Sequence, residues 1–221
     1  MNEILSLVQA IGMALHMPTY VDLLEAIATI AAAISGIRLS SAKNFDLFGA
    51  YIIGVVTAVG GGTMRDLMLG IQPFWMTSSR YFLCCGLALL WVMAFGKKII
   101  RQNNTWFIFD TIGLALFNTI GVEKSIGLGM PLWTAVTMGC VTGAAGGVLR
   151  DIFINEVPLI FRKEIYAMAC IAGGIAYIIG LKQGIDPEVN ALLSSAIVIA
   201  IRLLAVKFKW QLPILKGVGQ E

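Results

Sequence analysis

The stretch Gly60-Gly61-Gly62-Thr63-Met64-Arg65-Asp66 places three adjacent glycines and a charge pair at the end of an otherwise apolar run. The motif recurs as Gly146-Gly147-Val148-Leu149-Arg150-Asp151, shifted by 85 positions. Adjacent glycines cost roughly 1 kcal/mol each relative to alanine within a helix, and charged side chains are expensive inside an apolar segment. The duplicated motif therefore indicates a packing or functional role at two related places in the chain.

The composition of the chain indicates a membrane protein. Of its 221 residues, 58% are hydrophobic and 13% are charged, whereas a soluble domain carries about 25% charged residues. The mean hydropathy is +0.84. The net charge of +3 is too small, and the basic residues too scattered, to predict a nucleic-acid partner. The sequence has no Ser/His/Asp set, no metal-spaced His/Cys cluster and no phosphate-binding glycine motif, so we expect neither an enzyme nor a cofactor.

Seven apolar runs are long enough, or nearly so, to cross about 30 Å of hydrocarbon as helices. They cover residues 21–37, 45–59 with its glycine extension, 81–95, 106–122, 130–149, 165–181 and 189–206. The connections are short and polar, so the predicted fold class is an all-α membrane protein with seven transmembrane helices. Residues 1–20 are predicted to form an N-terminal interfacial segment, with a short amphipathic helix over 3–16.

An internal repeat is the most specific feature of the sequence. A shift of 85 aligns residues 27–97 with 112–182 without gaps and places Glu25 opposite Asp110. We predict repeat 1 over 21–97, repeat 2 over 106–182 and an unpaired seventh helix over 189–206. Because three helices per repeat is an odd number, the second repeat enters the membrane from the opposite side. In many transporters this inverted arrangement places the working site at the repeat interface.

The basic residues predict the orientation in the membrane. Twelve of the sixteen lysines and arginines fall on one side of the predicted arrangement, and only Arg65, Arg80, Lys124 and Lys182 fall on the other. Because cytoplasmic loops carry the excess of basic residues, we predict an outside N-terminus and a cytoplasmic tail over 207–221. The basic loop containing Arg162 also suits contact with anionic lipid.

The glycine motifs admit two interpretations. In the first, the backbone leaves helical geometry at Gly60–Gly62 and Ala145–Gly147, and a second half-helix begins just after the glycines. The freed carbonyl oxygens would then line a cation path, together with the hydroxyl groups of Thr57 and Thr142. In the second interpretation, the small residues let helices 2 and 5 approach their neighbours closely. The symmetric duplication favours the first.

The two Arg-Asp pairs also admit two interpretations. Adjacent residues do not face each other on a helix, so Arg65 and Asp66 are expected to find different partners, as are Arg150 and Asp151. The pairs could brace the helices as charge clamps, or they could form mobile gates at the mouths of a path. An arginine guarding a path would repel cations unless the neighbouring aspartate offsets its charge.

Together these motifs resemble the prokaryotic relatives of the trimeric intracellular cation (TRIC) channels. The resemblance rests on two three-helix repeats, a lone seventh helix, and the repeated pattern Gly-Gly-x-x-Arg-Asp-x6-Pro from Gly61 to Pro73 and from Gly146 to Pro158. It covers roughly residues 20–206, which is essentially the whole predicted membrane domain.

The resemblance implies a homotrimer in a bacterial or archaeal plasma membrane, with one pore per protomer that conducts K⁺ and other monovalent cations such as Na⁺. It further implies that glycine-kinked helices 2 and 5 bound the pore, which puts Gly60–Gly62 and Ala145–Gly147 at its constriction. Some bacterial members of the broad family are regarded as transporters of small amino acids, glycine in particular. The motifs do not distinguish the two functions, so a secondary transporter remains the alternative.

Overall fold

The computed structural model describes residues 19–100 and 105–213, with backbone only for 97–100. The predicted interfacial helix over 3–16 and the tail beyond residue 213 lie outside the described residues. Within the described ranges the chain forms seven α-helices. They are α1 (Tyr20–Ser41), α2 (Leu47–Met68), α3 (Arg80–Ile100), α4 (Thr105–Gly127), α5 (Leu132–Phe153), α6 (Ala167–Lys182) and α7 (Pro187–Lys207).

Five of these helices, namely α1, α2, α4, α5 and α7, are long and apolar enough to cross a membrane. Helix α6, with 16 residues, is a shorter apolar helix, and α3 is apolar over Arg80–Gly96, the part whose side chains the structure describes; each is the third helix of its repeat. The 16 residues of α6 span about 24 Å at 1.5 Å per residue, somewhat less than the hydrocarbon thickness. The predicted all-α architecture of seven helices is confirmed.

The helices pack in a pattern that repeats between the two halves. The pairs α2–α5 and α1–α4 join the repeats at the centre, and α1 packs on α2 as α4 packs on α5. The third helices lie outside this group, with α3 against α1 and α2, and α6 against α4 and α5. Helix α7 packs against α4 and α6, so it adds a layer to the second repeat alone.

The turns that end the helices follow the same repeat. Asn44 after α1 and Gly129 after α4 are 85 positions apart, and both have left-handed φ values, 59° and 73°. Gly70 after α2 and Asn155 after α5 form the second such pair, with φ values of 70° and 57°. Glycine and asparagine tolerate this conformation best, so their exchange at matched positions preserves the same helix ending.

Helices α2 and α5 run without interruption through their glycines, from Leu47 to Met68 and from Leu132 to Phe153. The expectation of an unwound turn with freed carbonyl oxygens and a second half-helix is therefore wrong. Continuous helices keep their backbone groups hydrogen-bonded, which a membrane interior demands. The physical reason for the glycines is the packing described next.

Candidate functional site

Helices α2 and α5 cross in backbone contact at Gly61 and Gly146. A Cβ atom added to Gly61 would lie 3.0 Å from the carbonyl carbon of Thr142, closer still to its oxygen, and 3.2 Å from the nitrogen of Gly146. A Cβ added to Gly146 would lie 3.3 Å from the carbonyl carbon of Thr57, again closer to the oxygen. The contact is reciprocal, so each glycine of the pair makes room for the opposite helix, as small residues do at membrane helix interfaces.

The remaining small residues of the two motifs have different neighbours. A Cβ added to Gly60 would lie 3.6 Å from the Cα atom of Gly146, and Ala145 is buried. Gly62 and Gly147 face aromatic side chains instead, since a Cβ there would meet the ring of Phe74 and, at 2.8 Å, the hydroxyl oxygen of Tyr166. Gly60, Gly61 and Gly146 therefore lie at the crossing, whereas Gly62 and Gly147 make room for aromatic side chains beside it.

The threonines of the motif face other helices. Thr57 Oγ1 donates to the carbonyl oxygen of Ile53 at 2.6 Å, and Thr142 Oγ1 donates to that of Met138 at 2.5 Å. A Cβ added to Gly36 of α1 would lie 3.1 Å from the Cβ atom of Thr57. At the matching repeat positions, a Cβ added to Gly121 of α4 would lie 2.7 Å from the Cβ atom of Thr142. These hydroxyl groups thus sit within the α1–α2 and α4–α5 contacts, while the threonine carbonyl groups face the crossing.

The arginine and aspartate of each motif pair with each other. Arg65 Nε donates to Asp66 Oδ1 at 2.8 Å, and Arg150 Nε donates to Asp151 Oδ1 at the same distance. The expectation that they find only different partners is wrong, because the arginine side chain is long enough to fold back to the carboxylate of its neighbour. Asp66 and Arg150 do also have separate partners, Lys124 and Asp110. All four residues are buried, and Arg150 is 0% exposed.

Each aspartate also holds the connection that follows its helix. The backbone N–H of Phe74 donates to Asp66 Oδ2 at 2.9 Å, and that of Leu159 donates to Asp151 Oδ2 at 3.1 Å. Both donors lie in single 3₁₀ turns, Phe74–Thr77 and Leu159–Phe161, at matched repeat positions. The two pairs therefore brace the loops at opposite ends of the α2–α5 crossing.

The environments of the two pairs differ. Lys124 at the end of α4 donates to Asp66 Oδ1 at 3.0 Å, whereas the repeat position that corresponds to Lys124 is occupied by Leu39. At the other end, Arg150 Nη1 donates to Ser35 Oγ at 2.6 Å and to Asp110 Oδ1 at 2.5 Å. Lys124 thus adds a positive charge beside the Arg65–Asp66 pair, and Asp110 adds a negative charge beside the Arg150–Asp151 pair.

Arg202 of α7 is a member of the site that the sequence analysis did not identify. Its guanidinium group lies between the rings of Phe107 and Tyr166, 4.8 Å and 4.7 Å from their centroids, and its Nη2 atom is 3.7 Å from Asp110 Oδ2. Asp110 therefore bridges Arg202 and Arg150. An arginine inside an otherwise apolar helix is the signal that could have found it, because such charges face the bundle interior.

Arg202 has a counterpart in the first repeat, supplied from a different place in the chain. Arg80 lies over the ring of Tyr81 at 4.9 Å and pairs with Glu25 at 2.8 Å, as Arg202 lies over Tyr166 and pairs with Asp110. The repeat position that corresponds to Arg80 is Ile165. Helix α7 thus supplies the arginine that the second repeat lacks. The two clusters differ in burial, since the side chain of Arg80 is 46% exposed and that of Arg202 is 1% exposed.

A cavity of about 260 Å³ leads from the predicted cytoplasmic surface to the second Arg-Asp pair. Arg150 and Asp151 lie in its wall together with Trp106. The Nζ atom of Lys43 and Oε1 of Glu156 form an ion pair of 2.6 Å between the loop after α1 and the loop after α5, and both residues line the cavity. The buried Arg150 therefore lies in the wall of a cavity that this ion pair between two loops also lines.

Two three-helix units offset by 85 residues, joined at a crossing of glycines and followed by a lone helix, define an inverted-repeat helical membrane protein. A family model described as glycine transporter matches residues 22–97 and again 107–182. The second match lies 85 positions after the first at both ends. The chain therefore belongs to this family.

Relatives of the chain are membrane proteins of bacteria. It is 37% identical over 202 residues to a UPF0126 membrane protein of Vibrio cholerae, covering 86% of this chain and 81% of that one. It is 36% identical over 194 residues to the UPF0126 inner membrane protein YadS of Escherichia coli strain K12, covering 86% and 93%.

The fold is that of solved TRIC channels. A structure described as explaining conductance through TRIC cation channels matches with a TM-score of 0.80 and 32% identity over 90% of this chain and 98% of that one. The TRIC orthologue of Rhodobacter sphaeroides matches with a TM-score of 0.81 and 30% identity over 86% and 98%. The resemblance drawn from the sequence motifs is confirmed.

Proposed function

We propose that this protein is a homotrimeric channel for monovalent cations, K⁺ foremost, with a path along α2 and α5 of each protomer. The single observation that carries the proposal is the match to a TRIC cation channel at 32% identity over 90% of the chain. Two features of the site, the glycine crossing and the charge clusters at its ends, support it.

The α2–α5 crossing is the proposed constriction, and the close backbone contact there would correspond to a closed path. The contact at Gly61 and Gly146 involves backbone rather than interdigitated side chains, so a small separation of the helices breaks few contacts. The carbonyl oxygens of Thr57 and Thr142 would then face the gap. A carbonyl oxygen has two lone pairs, so it can coordinate a passing cation while it still accepts its helical hydrogen bond.

The charge clusters at the two ends act as the proposed gates. Arg65 and Arg150 stand at opposite ends of the crossing, and each is neutralised by its own aspartate. Each aspartate offsets the charge of its own arginine, which lowers the barrier that this arginine would present to cations, and Lys124 leaves the Arg65 end the more positive of the two. Movement of either arginine away from its aspartate would change the local potential and hence the current.

Planar-bilayer recording of the purified protein tests the channel. We expect unitary currents in KCl that fall to zero in choline chloride, and a higher open probability for Gly61→Ala, because the added methyl group forces α2 and α5 apart at the proposed constriction. Gly86→Ala is the matched control, because a Cβ at Gly86 has open space around it. Absence of currents from protein that is folded and correctly inserted would refute the proposal.

A secondary transporter of glycine or another small amino acid is the second candidate. The description of the matching family favours it, as does the inverted repeat, which elsewhere supports alternating access. It predicts saturable uptake of radiolabelled glycine into proteoliposomes, competed by unlabelled glycine. Saturable uptake without unitary currents would replace the channel with this candidate.

We further propose a multi-pass protein of the bacterial inner membrane, with its N-terminus outside and its C-terminus in the cytoplasm. The excess of basic residues on one side supports this orientation, and so does the inner-membrane name of the Escherichia coli relative. A C-terminal alkaline phosphatase fusion is expected to be inactive in cells, whereas a C-terminal fluorescent protein is expected to fold. The proposed trimer predicts three chains per particle in mass photometry of the purified protein.

A further inference from the structure

The C-terminal end of α7 encloses a second cavity, of about 180 Å³, apart from the α2–α5 crossing. The chain turns back over it after the helix, since the backbone N–H of Leu212 donates to the carbonyl oxygen of Lys163 at 2.9 Å and Gln211 forms an antiparallel bridge with Glu164. The cavity therefore has a wall on the side of the returning segment. In the part of the chain that the structure describes, α7 packs on the second repeat only.

The cavity has a lysine at its rim. Lys209 follows α7 with a left-handed φ of 54°, while every other residue of this conformation in the described ranges is glycine or asparagine. A side chain with a Cβ costs roughly 1 kcal/mol or more in that conformation. Within the described ranges, Lys209 Nζ makes no ion pair or hydrogen bond. Lys209 thus has a strained backbone conformation and a side-chain charge with which a ligand can pair.

The back wall of the cavity is the buried Arg202. Its Nη1 atom donates to Glu164 Oε2 at 3.4 Å and to the carbonyl oxygen of Ile165 at 3.2 Å, while Nε and Nη2 have no hydrogen-bond partner among the described residues. The carboxylates of Glu164 and Asp110 face this guanidinium. Two cations and one carboxylate line the cavity itself, so its net charge is positive.

The position of the cavity indicates that a fitting ligand also has an apolar part. It opens where α7 ends at Lys207, beside Trp210, on the side with the excess of basic residues. Directly below, towards the middle of α7, Val206 and Leu203 are 47% and 45% exposed. Tryptophan favours the headgroup level of a membrane, and the cytoplasmic leaflet carries the anionic lipids. A fitting ligand therefore has an anionic head and an apolar tail.

We propose that this cavity binds the phosphodiester headgroup of an anionic phospholipid, with its acyl chains along the exposed face of α7. Lys209 is the direct cation for the phosphate, and Arg202 supplies positive potential from behind. Glu164 lowers the affinity, because its carboxylate faces the same space. The inference concerns lipid recognition and does not depend on whether the protein is a channel or a transporter.

Native mass spectrometry of the full-length protein in a neutral detergent tests the site. Dilauroyl phosphatidylglycerol is titrated against the phosphatidylcholine of the same chains, with inorganic phosphate as a third arm. Lys209→Asn removes the charge and keeps a residue that tolerates the left-handed φ. We expect it to weaken phosphatidylglycerol binding about fivefold, the effect of one basic residue near an anionic surface, and Glu164→Gln to strengthen binding by a similar factor.

Lys207→Asn is the matched control, because Lys207 lies over the ring of Phe208 rather than in the cavity wall. It is expected to change binding less than twofold, and all variants are expected to elute and melt as the wild type does. Equal losses for Lys207→Asn and Lys209→Asn would mean general surface attraction and overturn the site. Equal affinity for phosphatidylcholine, or displacement of phosphatidylglycerol by inorganic phosphate alone, would overturn the anionic-lipid assignment. A crosslink between two chains through Trp210 that added lipid does not prevent would also overturn the anionic-lipid assignment.

Discussion

Gly61→Ala places a methyl group where α2 and α5 already touch. The new Cβ would lie 3.0 Å from the carbonyl carbon of Thr142 and closer to its oxygen. The obstacle is backbone, so it cannot rotate aside as a side chain would, and the two helices must separate. Overpacking of this kind costs about 1–3 kcal/mol, and a rigid obstacle puts the cost at the upper end of that range.

Part of this cost is offset, because alanine favours a helix over glycine by about 1 kcal/mol. The net loss of unfolding free energy for Gly61→Ala is therefore about 2 kcal/mol. Gly86→Ala gains the helix propensity without a clash, since no atom of the described residues lies within 4 Å of its Cβ position. The two variants should differ by about 3 kcal/mol in reversible unfolding by sodium dodecyl sulfate, followed by circular dichroism or tryptophan fluorescence.

The double variant sharpens the test. A Cβ at Gly61 would lie 3.2 Å from the nitrogen of Gly146, so both substitutions act on one contact. Once Gly61→Ala has separated the helices, Gly146→Ala should cost less than it does alone, because neighbouring sites are not additive. Single variants as stable as Gly86→Ala, or two costs that simply add, would refute the reasoning that the glycines serve a close backbone crossing.

Three further results are expected. Asp66→Asn removes the buried carboxylate that Arg65 and Lys124 share, so it should lower the unfolding free energy by about 3 kcal/mol. A change below about 1 kcal/mol would contradict the role of Asp66 in bracing the helix. The hydrogen bond from Lys43 holds the pKa of Glu156 below its ordinary value of about 4.3, so the ion pair should persist as the pH falls to that value and be lost only below it. Carboxyl ¹³C NMR of Glu156 checks this, with an unchanged pKa in Lys43→Gln as the contrary result. Arg202→Lys keeps the charge but loses the planar stacking on Phe107 and Tyr166, so it should lower the unfolding free energy by about 1 kcal/mol. An unchanged unfolding free energy would show that the stacking does not stabilise the protein.

The helices and their number could be predicted from the sequence because hydropathy and length act locally. Apolar runs long enough for a bilayer must form helices, since no other backbone arrangement in a single span satisfies its own hydrogen bonds. The 85-residue shift, which aligns Arg65 and Asp66 with Arg150 and Asp151, identified the repeat and the positions that occupy matching places in its two halves. The TRIC resemblance followed from the same motifs and was confirmed by the fold.

What the glycines do could not be predicted from the sequence. A glycine cluster that ends three residues before Arg-Asp is compatible with an unwound turn and with a close helix contact. The local sequence pattern does not distinguish the two. Only the tertiary structure shows that Gly61 meets the backbone of α5 and that both helices stay continuous. The same holds for Arg65, whose flexible side chain reaches Asp66 although adjacent positions diverge on a helix.

The sequence by itself determined an all-helical membrane protein built from two inverted repeats, because periodicity, charge distribution and internal identity are properties of the linear chain. The tertiary structure decided how those repeats meet and which charges share a site. Asp110, Arg150 and Arg202 come from three different helices, and Arg202 takes the place that Arg80 has in the first repeat. Such partners are chosen by packing across the bundle, which depends on side-chain reach and on the exclusion of water rather than on sequence spacing.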